Sequence, residues 1–346
     1  MTAAGASMAV GGGAAAGAKV AVGGGAGAGA KVAVGGGDGA MAPGVVRPAR
    51  RPAGWIAPGP RPETPDRPDL VPGPGEDLCC LAGDYRIFQR RDGHRWSADD
   101  LITASFAVRT VLSGARAAAR TGAPTGAMTG ATPRMGAAPR RVVDLGCGIG
   151  TVLLFLAWRF PEAECTGIEA QEISAGMAAR SVAWNGIERR CSVRHGDLRD
   201  VASHAGLGGA DLVTGTPPYL PVGSGQESQR VQCGPCRFEH RGGIEDYCVT
   251  AAGLLAPGAP FVACAAGFQR ARVYAAADAA GLAVTRWMDV LPKPGKPPLF
   301  CVFAMSHREL AGPMVEETPL LLRGADGRFT VEHDLMRHEL GIPVER

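Results

Sequence analysis

The chain lacks any run of about eighteen uncharged apolar residues, which excludes a membrane-spanning helix, and we expect no membrane partner. Its Ala/Gly-rich start has no leucine-rich centre, so it does not resemble a secretory signal. The 10 cysteines follow no disulfide framework, which predicts a reducing, cytoplasmic location. The net charge of only +3 points to no particular partner, and no obligate protein partner can be inferred.

Residues 1–75 are dominated by glycine, alanine and proline and contain one aromatic residue, Trp55. A 12-residue glycine-rich repeat fills residues 9–39, and its isolated valines provide no apolar face for stacking. Such a segment buries too little apolar surface to offset its ordering entropy, so we predict a disordered tail and linker. We divide the rest into a cap segment (76–140) with a flexible insert around 121–132, a catalytic domain (141–310) and a C-terminal extension (311–346).

Short apolar strands alternate with amphipathic helices from residue 141 onward. This alternation predicts an α/β fold with a doubly wound, mostly parallel sheet of seven strands and helices on both faces. The last two strands are joined by LPKPGKPP, which cannot form a helix, so we expect the final strand to run antiparallel. Before this region, Ser97 is predicted to cap a helix that has Asp99 and Asp100 in its first turn.

The strongest motif is VVDLGCGIGT at residues 142–151, in which a buried strand runs into a glycine turn and then a helix. It fails the dinucleotide fingerprint G-x-G-x-x-G because Thr151 stands where the third glycine is required. A cationic ligand without phosphates would instead favour an acid at the end of the strand. The predicted ligand-binding residues of this turn are Asp144, Gly146, Cys147, Gly148 and Gly150.

Two further acids end the next two predicted strands. Glu169 follows Asp144 by 25 residues, where a carboxylate can accept hydrogen bonds from both ribose hydroxyls. Asp197 ends the third strand, where it can accept one from an adenine amino group. Because parallel strands end at one edge of a sheet, we expect the three carboxylates to line one crevice.

Together these residues resemble the class I S-adenosylmethionine-dependent methyltransferases over about residues 141–305. The resemblance implies S-adenosylmethionine as cofactor. After the fourth strand, Thr216-Pro217-Pro218-Tyr219 is similar to the (N/D/S)PPY motif of amino-methyltransferases that act on adenine N6 or glutamine N5. The resemblance implies that Thr216 and the carbonyl group of Pro217 accept hydrogen bonds from the target amino group, and that Tyr219 stacks on the planar acceptor.

An aromatic amine or amide nitrogen is a poor nucleophile because its lone pair is delocalised. Two acceptors on its hydrogens favour a pyramidal nitrogen, so the protein acts through positioning and electrostatics. Thr216 departs from the motif, since its hydroxyl is a shorter acceptor arm than an amide oxygen. The acceptor is therefore open between adenine, protein glutamine and a small molecule, and a non-catalytic S-adenosylmethionine-binding module is a further alternative.

A wider resemblance, over about residues 84–335, is to the tRNA1(Val) adenine-37 N6-methyltransferase group. It is carried by FQRRDGHRWSADDLITASFAVR, the PPY sequence, an Arg-rich loop at 223–241 and RGADGRFTVE at 323–332. It implies RNA, with tRNA first, as substrate, and it places Asp99 or Asp100 near the cofactor. Residues 86–141 contain ten arginines and three aspartates, which favours nucleic acid, whereas residues 141–310 contain 16 basic and 16 acidic residues.

Cys233 and Cys236 have the spacing of half a zinc site, which His240 and Cys248 could complete. No second CxxC pair exists, so we interpret them as thiols in a substrate loop and predict no metal site. Trp158 and Trp184 each lie on a predicted helix and are interpreted as core residues.

Overall fold

A computed structural model describes residues 42–63, 67–121, 138–223, 232, 234 and 236–344. The helices are α1 (Ala98–Thr121), α2 (Thr151–Arg159), α3 (Glu172–Trp184), α4 (Ile244–Leu254), α5 (Arg270–Ala279) and α6 (Val331–Glu339). The strands are β1 (Val45–Val46), β2 (Glu76–Cys80), β3 (Arg86–Arg90), β4 (Arg141–Leu145), β5 (Glu164–Glu169), β6 (Cys191–His195), β7 (Leu212–Gly215), β8 (Phe261–Ala266), β9 (Leu282–Leu291), β10 (Phe300–His307), β11 (Val315–Glu316) and β12 (Leu320–Leu321).

The main sheet has the order β11-β9-β10-β8-β7-β4-β5-β6, with β12 beside β9. Strand β10 is antiparallel to both β8 and β9, whereas the other pairs are parallel. All seven predicted strands, β4 to β10, are present. Two further strands of two residues each, β11 and β12, pair with β9. The predicted doubly wound, mostly parallel α/β fold is therefore confirmed, as is the antiparallel last strand.

Alternate residues of the sheet enter two separate cores, one on each face. On β4, Val142 belongs to the first core and Val143 to the second, and on β10 Val302 and Phe303 divide in the same way. Helices α1, α2 and α3 contribute to the first core, and α4 and α5 cover the second. Helix α1 contacts β7, β8 and β10 directly and so forms part of this layered fold.

The prediction of a disordered tail is wrong for residues 42–63 and 67–75. These residues are ordered and contact the rest of the chain. Strand β1 pairs in parallel with β2, and β2 pairs with β3 to form a small second sheet. Arg67 donates to the carbonyl of Ala183, and Arg47 is paired with the buried Asp77. Proline lowers the conformational entropy of the unfolded chain, so less entropy is lost when this segment becomes ordered. A few polar contacts are therefore enough to hold an extended segment that has little apolar surface. Residues 1–41, with the repeat, and 122–137 of the flexible insert lie outside the described residues.

The C-terminal residues return to the first core. Helix α6 packs on α1, where Ser105 and Arg109 both donate to the Glu339 carboxylate, at 2.8 and 2.9 Å. Trp158 of α2 is buried, and Trp184 is half-buried beside the same core, which agrees with their interpretation as packing residues. Among the described residues, no helix combines the length and apolarity that crossing a membrane requires.

Candidate functional site

An open cleft lies where β4, β5, β6 and β7 end. The cleft is the crevice expected at the carboxyl ends of parallel strands. It is lined by nine of the eleven residues predicted from the sequence: Gly146, Cys147, Gly148, Glu169, Asp197, Thr216, Pro217, Pro218 and Tyr219. Asp144 and Gly150 do not line the cleft.

The glycine turn requires glycine at three positions for its backbone. Gly146, Gly148 and Gly150 have φ angles of 58°, 57° and 89°, which side-chain-bearing residues rarely adopt. The backbone at Gly146 also lies close to Tyr247, since a Cβ there would lie closer than 3.0 Å to the Tyr247 hydroxyl. A Cβ at Gly148 would meet nothing within 4 Å. The turn thus leaves open space at Gly148, the position that faces the cleft.

Asp144 lies behind the turn with only one of its carboxylate oxygens satisfied. Oδ1 accepts a hydrogen bond of 2.7 Å from the Thr214 hydroxyl, whereas Oδ2 is buried and has no partner. Burial raises the pKa of Asp144 to about 7, although the Thr214 hydrogen bond acts in the opposite direction. A nearby cation would stabilise the ionised form. The sequence reasoning missed Thr214, which stands on β7 directly opposite Asp144 of β4.

Glu169 is buried, and backbone donors hold its carboxylate in place. Oε2 accepts from the Gly148 amide at 2.9 Å, and Oε1 accepts from the Gln171 amide at 2.7 Å. Burial raises the pKa of Glu169, and these two hydrogen bonds partly offset the shift. Each oxygen keeps a lone pair, so the fixed carboxylate retains capacity to accept hydrogen bonds from a ligand.

Asp197 is more exposed and is engaged by Arg199 of the same loop. The guanidinium donates to both carboxylate oxygens, at 2.9 and 2.7 Å, and the Arg199 amide also donates to Oδ1. The hydrogen bonds from Arg199 lower the pKa of Asp197. The Asp197 carboxylate is therefore ionised and held in a fixed orientation by Arg199. A ligand amino group could donate a hydrogen bond to it beside Arg199.

The Thr216–Tyr219 segment forms the wall on the β7 side, and Tyr219 is fixed at both ends. Its hydroxyl donates to Oδ2 of Asp99 at 3.1 Å, and its carbonyl accepts from the Gln269 side chain at 2.9 Å. Burial and the Asp99 carboxylate raise the pKa of Tyr219 well above its usual range. Asp99, on α1, thereby connects the segment before the glycine turn to the PPY sequence.

The cleft is also lined by His94, Asp99 and Asp100, which belong to the segment that carries the wider resemblance. Burial lowers the pKa of His94, and burial together with the Asp99 carboxylate raises that of Asp100. Tyr247 also lines the cleft. Only the folded structure reveals its role, because it contacts Gly146 from α4, about a hundred residues further along the chain. The lining is therefore rich in carboxylates, and this favours a ligand with positive charge.

The described part of the Arg-rich loop reaches the cleft through Cys236 and Arg241. Arg241 donates to the carbonyl of Ala170 at 2.9 Å. Cys248 is buried, and its thiol faces the sulfur of Met305 in the second core, so it lies in the core and not in the loop. Cys233, like Gln229 and Arg230 of the same loop, lies outside the described residues. The prediction of no metal site stays untested.

Comparison with known proteins identifies the class. Residues 142–217 match the family described as "Methyltransferase domain". This match covers β4 to the first proline of the PPY sequence, with the glycine turn and the three strand-end acids. Residues 142–217 therefore carry a methyltransferase domain, and the methyl donor of its family is S-adenosylmethionine.

Three relatives differ in the acceptors that they methylate. The chain is 31% identical over 124 residues to tRNA1(Val) (adenine(37)-N6)-methyltransferase of Porphyromonas gingivalis, covering 35% of this chain and 48% of that protein. It is 33% identical over 167 residues to 4-amino-L-phenylalanine/4-methylamino-L-phenylalanine methyltransferase of Streptomyces pristinaespiralis, covering 46% and 54%. It is 34% identical over 81 residues to release factor glutamine methyltransferase of Caulobacter vibrioides, covering 23% and 27%. The chain thus spans about half the length of the first two.

Proposed function

We propose that the protein transfers a methyl group from S-adenosylmethionine to an amino group attached to an aromatic ring, with adenine N6 in RNA, tRNA first, as the acceptor. The observation that carries this proposal is the Thr216-Pro217-Pro218-Tyr219 segment on the wall of the same cleft as the glycine turn. The relative from Porphyromonas gingivalis acts on adenine in tRNA, which supports RNA as the acceptor.

The residues at the glycine turn fit a cationic cofactor. Asp144 Oδ2 is buried without a partner, and a positive ligand would stabilise its charge. Glu169 would accept hydrogen bonds from the ribose hydroxyls, and Asp197 would accept one from the adenine amino group. Gly148 would let the ligand approach the backbone, and Gly150 would lead the turn into α2. The cofactor supplies an activated methyl group when bound, so the chain's own task is to orient the two reactants.

On the acceptor side, Thr216 and the carbonyl of Pro217 would accept hydrogen bonds from the amino group. These bonds orient the nitrogen lone pair toward the methyl group, and Tyr219 and Pro218 would confine the ring. Because Asp99 and Gln269 fix Tyr219 at its two ends, the acceptor surface exists before substrate arrives. We propose accordingly that residues 76–140 act with residues 141–310 as one catalytic unit.

A small aromatic amine is the second candidate acceptor. The Streptomyces pristinaespiralis relative acts on an amino group attached to a phenyl ring, and its similarity covers more of this chain than that of the other two relatives described. The nitrogen in such an amine is conjugated like that of adenine, so the same two acceptors would serve. A carboxylate-rich cleft also suits the ammonium end of an amino acid.

The test uses the full chain with tritiated S-adenosylmethionine and three acceptor pools: unmethylated tRNA, cell protein and 4-amino-L-phenylalanine. We expect label in nuclease-sensitive material that co-migrates with N6-methyladenosine after digestion. Thr216→Ala should lower turnover and leave cofactor affinity nearly unchanged, while Gly148→Asp serves as a control without cofactor binding. Label in the amine or in protein would overturn the RNA assignment. Cofactor binding without label in any pool would indicate a non-catalytic binding module.

A further inference from the structure

The loops beside Tyr219 carry an exposed group of residues that the transfer step does not use. Phe268 follows β8 and is 79% exposed. Lys293 and Lys296 lie on the loop between β9 and β10, and both are exposed. We call these three residues the acceptor rim. The chain has only four lysines, and these two are the only ones within the described residues.

The topology brings the acceptor rim to the edge of the sheet that holds the cleft. Strand β10 is antiparallel to both β8 and β9, so β8 and β9 end at the same edge. The loop after β9 packs closely on Gly267, whose amide donates to the Leu299 carbonyl. A Cβ at Gly267 would lie 2.5 Å from the Pro298 oxygen. The lysine loop and the Phe268 loop thus form one continuous surface.

This surface is connected directly to the proposed acceptor wall. Gln269, the residue after Phe268, accepts a hydrogen bond from the Ala266 amide and donates one to the Tyr219 carbonyl. Gln269 alone, adjacent to Phe268 in the chain and hydrogen-bonded to Tyr219, therefore links the exposed ring to the residue that would confine the acceptor. A polymer whose base enters the cleft would pass over Phe268.

The lysine charges are not neutralised by neighbouring acids of the described residues. Glu316 on β11 is bound by Arg270, and Glu317 is bound by Arg286, whereas neither lysine forms an ion pair. Positive charges of this kind contrast with the carboxylates inside the cleft. The cationic cofactor would complement the carboxylates inside the cleft, and the phosphates of a nucleic acid would complement the lysines outside it.

We infer that the acceptor rim binds single-stranded RNA next to the methylated base, with the lysines contacting phosphates and Phe268 stacking on a flanking base. This inference rests on the proposed function and extends it, since it names the strand form and the residues that receive it. Proteins that bind single-stranded nucleic acids combine exposed aromatic rings with positive charges. The charges contact the phosphates, and every base presents a face that can stack on the ring.

The experiment measures binding of a fluorescein-labelled single-stranded RNA that contains adenines, across a series of KCl concentrations. Lys293→Gln combined with Lys296→Gln should reduce the slope of log affinity against log salt by about 1.4, at about 0.7 for each lost phosphate contact. Phe268→Ala should weaken binding by roughly 5- to 150-fold, the range that stacking of one base supports. Affinity for S-adenosylmethionine should not change in either variant.

The matched control is Arg140→Gln combined with Arg189→Gln. Both arginines are exposed, form no ion pair with the described residues and stand before β4 and β6, at the opposite edge of the sheet. This control removes the same charge and should keep the wild-type slope. Equal slopes in the two double variants, with RNA still methylated by the wild type, would overturn the inference alone. Wild-type protein that methylates no RNA, and labels protein or the amine instead, would overturn both the inference and the proposed function.

Discussion

Replacing Gly146 with alanine tests how tightly the glycine turn is built. The substitution places a side chain in a left-handed backbone conformation, which costs about 1–2 kcal/mol. It also drives a Cβ into the Tyr247 hydroxyl, and overpacking of this kind adds about 1–3 kcal/mol. We therefore expect the free energy of unfolding to fall by about 2–5 kcal/mol, a large share of the roughly 5–15 kcal/mol typical of a domain.

Gly148→Ala is the internal control, because its φ angle differs by only one degree and its Cβ meets no atom within 4 Å. It should cost about 1–2 kcal/mol of stability and should weaken S-adenosylmethionine binding. Urea unfolding measures the loss of stability in each alanine variant, and calorimetry measures the affinity for S-adenosylmethionine. Adding Tyr247→Phe to Gly146→Ala should recover at least about 1 kcal/mol, because the hydroxyl is the nearest atom in the clash. Equal losses for the two alanine variants, or no recovery in the double variant, would refute the steric argument.

Other predictions concern charge and positioning in the cleft. Since Asp144 ionises at about pH 7, affinity for S-adenosylmethionine should rise as pH increases through 7, and Asp144→Asn should remove most of this dependence in calorimetric titrations. Thr214→Val removes a hydrogen bond that lowers the Asp144 pKa, so the same affinity profile should move to higher pH; an unmoved profile would exclude this coupling. Asp99→Asn keeps an acceptor for the Tyr219 hydroxyl, whereas Asp99→Ala does not, and steady-state kinetics should show a larger rise in acceptor KM for Asp99→Ala; identical KM values would contradict a positioning role.

The strands could be predicted from the sequence because their apolar runs and glycine turns are local signals. The acids at the strand ends could be predicted to converge, because parallel strands share an edge. Tyr247 could not be found in this way, since its relation to Gly146 depends on how α4 packs across the second core. The order of residues 42–63 and 67–75 was also missed, because composition reports apolar area and not the few guanidinium contacts that hold an extended chain.

The surroundings of Trp158 have a consequence for folding during synthesis. Three glycines, Gly59, Gly83 and Gly341, approach the indole so closely that a Cβ at any of them would lie closer than 3.0 Å. They come from the segment before β2, the turn before β3 and the residues after α6. The last of these leaves the ribosome some 180 residues after Trp158 itself. A nascent chain can assemble the glycine turn and its strands early, but one face of this indole stays uncovered until Gly341 has been synthesised and can pack on it, and the first core can close only then.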